Sequence, residues 1–222
     1  MTKSKFFLPT LKHILITAGP TREMLDPVRF ISNVSTGEMG YAVARAAKAA
    51  GHEVTLISGP VNLAPPKGVR FISIMSARDM KRACEKFFPK SDALVMTAAV
   101  CDFTALKISR RKIHRTRTKE LHLTQTPDIL AGLAARKKKQ IVIGFCLETE
   151  HWLKNARLKL LRKNLDGIVA NYFSPHHVPF GPRKITTAFL GQDSGDVRVL
   201  KQKSKKQVAQ ALLGWVQSLS QN

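Results

Sequence analysis

The segment between residues 13 and 58 places the strongest constraint on the fold. It contains an apolar run of strand length, His13–Ala18, a helical segment over 41–50 that ends at Gly51, and a second apolar run, Glu53–Ser58. Alanine-rich helix formers between two strands are typical of a helix that packs on a sheet. A β-α-β unit of this kind joins parallel strands with a right-handed crossover. The segment therefore predicts an α/β protein whose sheet begins parallel.

The connection between this first strand and the helix is unusually long. Residues 19–34 take the place of the roughly 2 to 6 residues that usually join a strand to a helix. We therefore expect an irregular loop with a functional role. Ser35, followed three positions later by Glu38, predicts a capping box at the start of the helix.

The first turn of that helix is a candidate anion site. Its unpaired N–H groups and the positive end of the helix dipole attract phosphate or carboxylate groups. The preceding loop adds three polar side chains: Arg22, Arg29 and Asn33. The alternative is a Rossmann-like unit whose loop only packs against the sheet, and the segment alone does not decide between them.

Strands and helices continue to alternate along the rest of the chain. Further strands are predicted over 69–74, 92–100, 140–145 and 167–171, followed by a hairpin over 184–190 and 197–200. Further helices are predicted over 76–88 with Ser76 as cap and Asp79 three residues on, 126–135 with Pro127 at the first helical position, 152–163 and 204–219. Because no linker or repeat interrupts the pattern, we predict a single domain over residues 1–222. Its fold class is a Rossmann-like three-layer α/β fold with a mostly parallel sheet and a C-terminal edge hairpin.

The net charge favours anionic partners. Lys and Arg total 37 against 15 Asp and Glu, which gives a formal net charge of +22. Nucleotides, phosphorylated substrates, nucleic acids and membrane surfaces all fit this charge. Basic clusters at 136–139 and 201–206 make a nucleic-acid-binding α/β protein the main alternative, although an aromatic content of 7% and the lack of a nucleic-acid motif argue against it. A nicotinamide-dependent oxidoreductase is disfavoured because no Gly-x-Gly-x-x-Gly follows the first strand.

Three cysteines, Cys84, Cys101 and Cys146, are odd in number and widely spaced. This spacing indicates reduced thiols rather than a disulfide framework or a thiolate zinc site. The apolar stretch 6–11 is too short for a signal sequence, and no run approaches the roughly 20 apolar residues of a membrane span. We therefore expect a cytoplasmic protein with no membrane partner. The pair at 176–177 is interpreted as surface histidines rather than metal ligands.

Asp102 and the basic segment after it are further candidates. Asp102 follows the most apolar predicted strand, at the carboxyl end where open α/β sheets place ligands. A carboxylate there can bind a ribose, a base or a magnesium ion, or it can cap its own loop. Residues 107–119 carry seven basic residues and no acidic one. Such a run fits either a solvated face or a polyanion-binding loop.

Several stretches of the chain resemble the phosphopantothenoylcysteine synthetases, the phosphopantothenate cysteine ligases of coenzyme A biosynthesis. They are Ile-Thr-Ala-Gly-Pro-Thr-Arg-Glu at 16–23, Asp-Pro-Val-Arg-Phe-Ile-Ser-Asn at 26–33, Ser-Thr-Gly-Glu-Met-Gly-Tyr at 35–41 and Met-Thr-Ala-Ala-Val-Cys-Asp-Phe at 96–103. In most bacteria this ligase is the C-terminal half of a bifunctional protein. The order, spacing and length of the match set it apart from a lone glycine motif.

The resemblance implies roles for particular residues. Asn33 would hydrogen-bond the acyl intermediate, and Lys112 would contact the nucleotide phosphates and be needed for the first half-reaction. Arg29, and with less support Arg22, would bind substrate. The implied nucleotide pocket contains Met96, Thr97, Ala98, Asp102, Lys112, Pro127, Asp128, Ile129, Leu130, Phe145, Lys159 and Lys163. Asp102 is also the expected magnesium ligand.

The implied reaction joins phosphopantothenate and cysteine through an acyl nucleotide, with CTP as co-substrate and Mg²⁺ but no flavin. The family resemblance also implies a homodimer, and a separate flavin-dependent phosphopantothenoylcysteine decarboxylase as the neighbouring activity. Nucleic acid is not an expected partner. Five positions depart from the bacterial pattern. Glu38 stands where lysine is usual, and His114 and Arg115 stand where further lysines are usual. Phe180 and Gly181 match a family loop, but Arg183 and Lys184 stand where acidic or amide residues are usual.

Overall fold

The computed structural model describes residues 11–115, 120–175, 178–192 and 197–221. Its strands are β1 (His13–Ala18), β2 (Arg22–Met24), β3 (Phe30–Ser32), β4 (Glu53–Ser58), β5 (Arg70–Ser73), β6 (Ala93–Met96), β7 (Phe103–Ala105), β8 (Leu123–Gln125), β9 (Ile141–Glu148), β10 (Gly167–Tyr172), β11 (Ile185–Gly191) and β12 (Val197–Lys203). Its α-helices are α1 (Glu38–Ala49), α2 (Ala77–Phe87), α3 (Ile129–Ala134), α4 (Trp152–Arg162) and α5 (Lys205–Leu219). The histidine pair at 176–177, residues 116–119 of the basic segment, and residues 193–196 between the two predicted hairpin strands lie outside the described residues.

Eight strands form the central sheet, in the order β12-β11-β10-β9-β6-β1-β4-β5. The six strands from β10 to β5 are parallel. The strands β11 and β12 add an antiparallel hairpin at one edge. The predicted fold class is therefore confirmed. The chain order reverses between β1 and β6, and in open α/β sheets this reversal leaves a ligand-binding crevice outside the carboxyl ends of the strands.

Helices cover both faces of the sheet. Ile14 and Ile16 of β1 pack in one apolar cluster with residues of α1 and α5. Leu15, between them, packs in a second cluster with residues of α2, α3 and α4. Successive side chains of a strand point to opposite faces, so a continuously apolar strand is buried on both. Burial on both faces explains why the predicted strands do not alternate between apolar and polar residues.

The first connection differs from the expected irregular loop, because β2 and β3 pair as a short antiparallel hairpin. Asp26 organises its turn: Oδ1 accepts hydrogen bonds from the N–H groups of Val28 and Arg29, both at 2.8 Å. A side-chain carboxylate that bonds its own backbone in this way forms a turn that hydrophobic periodicity does not reveal.

The predicted capping box of α1 is wrong. The N-cap is Gly37, in the left-handed region at φ 74°, and it has no side chain to cap the helix. Glu38 instead pairs with Lys205 of α5, with 3.0 Å between Nζ and Oε2. At α2 the prediction is confirmed, since Ser76 and Asp79 form a reciprocal capping box.

Two further predictions need correction. The strand predicted over 92–100 ends at Met96. Beyond it, the Ala98 N–H donates to the Thr17 hydroxyl at 3.2 Å, and Ala99 pairs with Pro20 in an isolated bridge. Pro127 does not occupy the first position of α3, since Asp128 is the N-cap. In the described part of the chain, the structure contains no helix with the length and apolarity needed to cross a membrane.

Candidate active site

A cleft of about 750 Å³ lies at the carboxyl ends of the central strands. The loop after β6, the last residues of β9, the start of α3 and one face of α4 form its walls. Eleven of the predicted site residues line it: Asn33, Met96, Ala98, Asp102, Pro127, Asp128, Ile129, Leu130, Phe145, Lys159 and Lys163. The reversal of strand order thus lies beside the residues that the family resemblance selected.

Asn33 is fixed at the mouth of this cleft. Its Nδ2 donates to the carbonyl oxygens of Ala99 and Val100, both at 3.1 Å. These carbonyls belong to the loop after β6, which is 66 or more residues away in the chain. The hairpin therefore delivers Asn33 to the same cleft that contains Asp102.

Asp128 starts α3 on one wall of the cleft. Its Oδ1 accepts from the Ala131 N–H at 3.0 Å, and its Oδ2 lies 2.9 Å from Lys163 Nζ. Partial burial raises the pKa of Asp128, but the hydrogen bonds from Lys163 and Ala131 outweigh it and leave the pKa below its usual value. Asp128 is therefore a carboxylate at neutral pH.

Lys159 is paired in a similar way one helical turn earlier, since its Nζ lies 2.5 Å from Oε1 of Glu148. Both lysine pairs are partly open to solvent, with 38% and 23% of the Lys159 and Lys163 side chains exposed. Ion pairs in such surroundings contribute only about 0 to 1 kcal/mol. A triphosphate, with several negative charges, can therefore replace the carboxylates as the partner of these lysines.

A second cavity, of about 190 Å³, adjoins the cleft. The first turn of α1 forms one side of it, and Thr97, Asn171 and Lys205 are among the other lining residues. The N–H groups of a first helical turn have no helical partners and attract anions. The two spaces share wall residues: Ala98, Ala99, Phe145, Cys146, Leu147 and Phe180. One elongated ligand can therefore occupy both.

Four predicted binding residues lie outside the lining of the cleft. Arg22 places its guanidinium over the ring of Phe30, 4.5 Å from the centroid. Arg29 forms an ion pair with Asp26 at 2.6 Å and donates to the Ile113 carbonyl at 2.5 Å. Lys112, next to Ile113, is exposed. The structure does not place Arg22, Arg29 or Lys112 in the lining of the cleft, so their substrate and nucleotide roles remain predictions. Thr97 lines the adjoining cavity instead.

Other residues of the cleft escaped the sequence analysis. Arg162 is three residues from Lys159 on the same helix, so helical periodicity could have identified it. Gln125 immediately precedes the predicted turn at Thr126. Glu148 does not line the cleft but pairs with Lys159, which does, and it lies on the end of β9, which extends beyond its predicted limit. Phe180 belongs to a loop that the family resemblance matched, but it was not predicted to line the pocket, because its place depends on the long return from β10 to β11.

The residue types suit charge neutralisation and positioning better than nucleophilic attack. Burial raises the pKa of the Cys146 thiol, on the wall of the cleft, to about 12. A thiol with this pKa is protonated at neutral pH and a poor nucleophile. Lysines, a carboxamide and helix N–H groups, by contrast, bind and orient polyanions.

Magnesium is compatible with this set of residues. The described residues contain no group of three or more His, Cys, Asp or Glu side chains arranged to hold a metal ion. Magnesium usually binds to one or two carboxylates together with substrate phosphates and water. Asp102, which lines the cleft and has no ion pair with another described residue, fits that role, whereas Asp128 and Glu148 are paired with lysines.

Comparisons with known proteins agree with the resemblance. The family model for the DNA/pantothenate metabolism flavoprotein C-terminal domain matches residues 10–219. The bifunctional coenzyme A biosynthesis protein CoaBC of Bacillus subtilis (strain 168) is 45% identical over 212 residues, which are 94% of this chain and 52% of that protein. CoaBC of Escherichia coli (strain K12) is 42% identical over 210 residues, 91% of this chain and 51% of that protein.

A solved structure extends these similarities to the fold. The crystal structure of the C-terminal domain of CoaBC is 38% identical and superposes with a TM-score of 0.81, covering 95% of this chain and 96% of that chain. The chain spans about half the length of the curated relatives that it matches.

Proposed function

The chain belongs to the family of DNA/pantothenate metabolism flavoprotein C-terminal domains, and from this membership we propose that it is a phosphopantothenate cysteine ligase. The observation that carries the proposal is that Asn33 reaches the cleft formed by Asp102, Phe145 and Lys159. These residues come from four separate parts of the chain. Their convergence gives one place in which an activated acid and a nucleotide can meet.

The proposed reaction has two steps. A carboxylate oxygen of phosphopantothenate attacks the α-phosphorus of CTP, the bond to the bridging oxygen breaks, and pyrophosphate leaves. The amine of cysteine then attacks the acyl carbon of the acyl cytidylate, loses a proton and displaces CMP, which forms the amide. The product keeps the carboxyl group of cysteine, which is the group that the flavin-dependent decarboxylase would remove.

The protein accelerates these steps by positioning the reactants and neutralising charge. Lys159 and Lys163 bind the nucleotide from α4, and Asn33 orients the acyl group at the mouth of the cleft. A magnesium ion held by Asp102 would spread the negative charge of the triphosphate. CTP is proposed over ATP because the bacterial ligases generally use CTP and the relatives above are bacterial.

The central experiment incubates the protein with phosphopantothenate, cysteine, Mg²⁺ and either CTP or ATP. We expect equal amounts of pyrophosphate and CMP with CTP, and little release with ATP. A preference for ATP would revise the co-substrate. Release of neither product with either nucleotide would overturn the ligase proposal.

Two substitutions test the residue roles. Asn33→Asp places a carboxylate opposite the Ala99 and Val100 carbonyl oxygens, so we expect the acyl nucleotide to form, to lose its anchor and to accumulate. Lys112→Gln is expected to block formation of that intermediate. Lys107→Gln removes the same charge from the same basic segment and serves as control. Near-normal turnover in both test variants would show that the roles are assigned to the wrong residues.

A homodimer is also proposed. Large apolar side chains remain exposed on the β2–β3 hairpin, on β7 and β8, and just after β7: Val28, Phe30, Phe103, Leu106, Ile108 and Leu123. The strands β7 and β8 pair antiparallel, and β7 contacts β2. Leu106 has the largest exposed fraction of these six residues, 68%. Contiguous exposed apolar surface is typical of an interface. Sedimentation should show a dimer that Leu106→Lys weakens, and a monomeric wild type would refute this part.

The nucleic-acid alternative is not favoured, because the family similarity extends along nearly the whole chain, over residues 10–219. It predicts duplex or single-strand binding that weakens steeply as salt rises. Salt-dependent binding of DNA or RNA together with no pyrophosphate release would revive it.

A further inference from the structure

The ion pair between Glu38 and Lys205 occupies an unexpected place. Glu38 is the first residue of α1, and Lys205 is the first residue of α5. Both line the cavity beside the first turn of α1, and among the described lining residues Lys205 is the one lysine or arginine. The pair thus lies where a helix N-terminus already attracts anions.

The pair neutralises a charge that would otherwise oppose anion binding. A lone carboxylate at residue 38 would favour the helix dipole but repel a phosphate group at the same N–H groups. Lys205 reaches across from the other helix, and its Nζ also donates to the Gly181 carbonyl. Only 12% of the Lys205 side chain and 24% of the Glu38 side chain are exposed. Solvent therefore screens this lysine less than the lysines of α4.

A second observation in the same cavity points to a ligand. Asn171 lines it, and its Oδ1 is buried with no hydrogen-bond partner in the described structure. Leaving a buried polar atom without a partner costs free energy. Rotation of the carboxamide by 180° presents its NH₂ group instead, which gives two donors for an anion.

We propose that Lys205 is a phosphate-binding residue of this cavity, and that Glu38 holds its ammonium group in place until a phosphate group replaces the carboxylate as its partner. The inference rests on the proposed function, since the ligand is a phosphate group of the nucleotide that occupies the adjoining cleft. The shared walls allow a nucleotide in the cleft to extend into the cavity. Lys205 thus supplies, from the C-terminal helix, a charge that the first turn of α1 lacks.

The test compares three single substitutions: Lys205→Gln, Glu38→Gln and Lys206→Gln. Lys206 is the matched control, because it is the exposed neighbour on α5 and does not line the cavity. The first readout is the dissociation constant for inorganic pyrophosphate, measured by calorimetry without any reaction. The second is KM for CTP separated from kcat, with thermal unfolding as a check on folding.

Lys205→Gln should weaken pyrophosphate binding and raise KM for CTP about tenfold or more, since it removes charge-assisted hydrogen bonds. Glu38→Gln should act in the opposite direction, with binding about two- to fivefold tighter, because the competing carboxylate is gone. Lys206→Gln should change neither constant by more than about twofold. A purely structural ion pair predicts instead that the first two variants lose stability alike and bind pyrophosphate as the wild type does.

Unchanged pyrophosphate binding in a folded Lys205→Gln protein, or weaker binding in Glu38→Gln, would overturn this inference while leaving the ligase proposal intact. If Lys205→Gln does not fold, the direction of the Glu38→Gln effect still decides. Opposite effects on pyrophosphate binding in a protein that performs no ligation would support the anion site and reject the ligase. The two proposals can therefore fail separately.

Discussion

Replacing Gly40 with alanine tests how closely α1 must approach the sheet. Gly40 lies in the first turn of α1, and a methyl group there would be 2.5 Å from Ala18 Cβ, 2.5 Å from Thr97 Oγ1 and 3.0 Å from the Thr17 carbonyl oxygen. Favourable contacts between carbon atoms begin near 3.5 Å, so the start of the helix must move by roughly 1 Å. Two of these three obstacles, the β-carbon and the backbone oxygen, cannot rotate out of the way.

The expected cost follows from two opposing effects. Overpacking of a close interface costs about 1 to 3 kcal/mol, whereas alanine in place of glycine stabilises a helix interior by up to about 1 kcal/mol and a first turn by less. We therefore expect Gly40→Ala to lower the free energy of unfolding by about 1 to 2 kcal/mol. Because the same turn lines the anion cavity, KM for CTP should rise as well.

Gly214→Ala is the matched control. Gly214 lies within α5, is exposed, and has no heavy atom within 4 Å of an added methyl group. This variant should gain up to about 1 kcal/mol from helix propensity alone. Urea unfolding of both variants measures the difference. If Gly40→Ala is as stable as the wild type while Gly214→Ala behaves as expected, the close approach of α1 to β1 is not what requires glycine at residue 40.

Three further predictions concern the charged and buried groups. Lys163→Gln should raise KM for the nucleotide about tenfold while changing stability by less than about 1 kcal/mol, because its pair with Asp128 is exposed; a large loss of stability would contradict this. Burial raises the pKa of Asp26, but hydrogen bonds from Ile113, from its own turn and from the Arg29 side chain outweigh it and hold the pKa below its usual value. The stabilisation that Asp26 provides should therefore be present above about pH 4 and decline as the pH falls further. Below pH 4, the urea midpoint of the wild type should decrease more than the urea midpoint of Asp26→Asn. Parallel pH profiles of the two proteins would refute this prediction. Burial raises the pKa of both Cys84 and Cys146 to about 12, so iodoacetamide at pH 8 should label them only after unfolding, and mass spectrometry that finds equal labelling of folded protein would contradict the burial.

The alternating apolar runs were enough to predict the fold class. Strands such as β1 and β4 are buried along most of their length. Their sequences must therefore be mostly apolar whichever strands they pair with. Strand order was not readable from those runs, because pairing depends on contacts between distant segments. The β2–β3 hairpin escaped prediction because its three-residue strands are shorter than any reliable pattern and its turn depends on the Asp26 side chain.

The candidate site was predictable in part for the same reasons. Parallel strands end at one edge of the sheet, so Asp102 and Phe145 were expected to meet there, and the resemblance added Asn33. The capping box failed although Ser35 and Glu38 have the right spacing, because the helix begins at Glu38 with Gly37 as its N-cap, which leaves Ser35 outside the capping position. The Glu38 carboxylate pairs instead with Lys205, 167 residues away in the chain, and a local pattern cannot anticipate such a distant partner.

The antiparallel hairpin at one edge of the sheet also affects how molecules meet in solution. The outer strand β12 exposes Arg198, Lys201 and Lys203 along an edge whose outward backbone groups are available for pairing. Two copies that approach through these edges bring like charges together, which opposes continuation of the sheet from one molecule to the next. Neutralising two of these cations would make the edge of β12 a template to which a strand of another molecule could add. The basic residues of β12 therefore help to keep the protein from associating in solution.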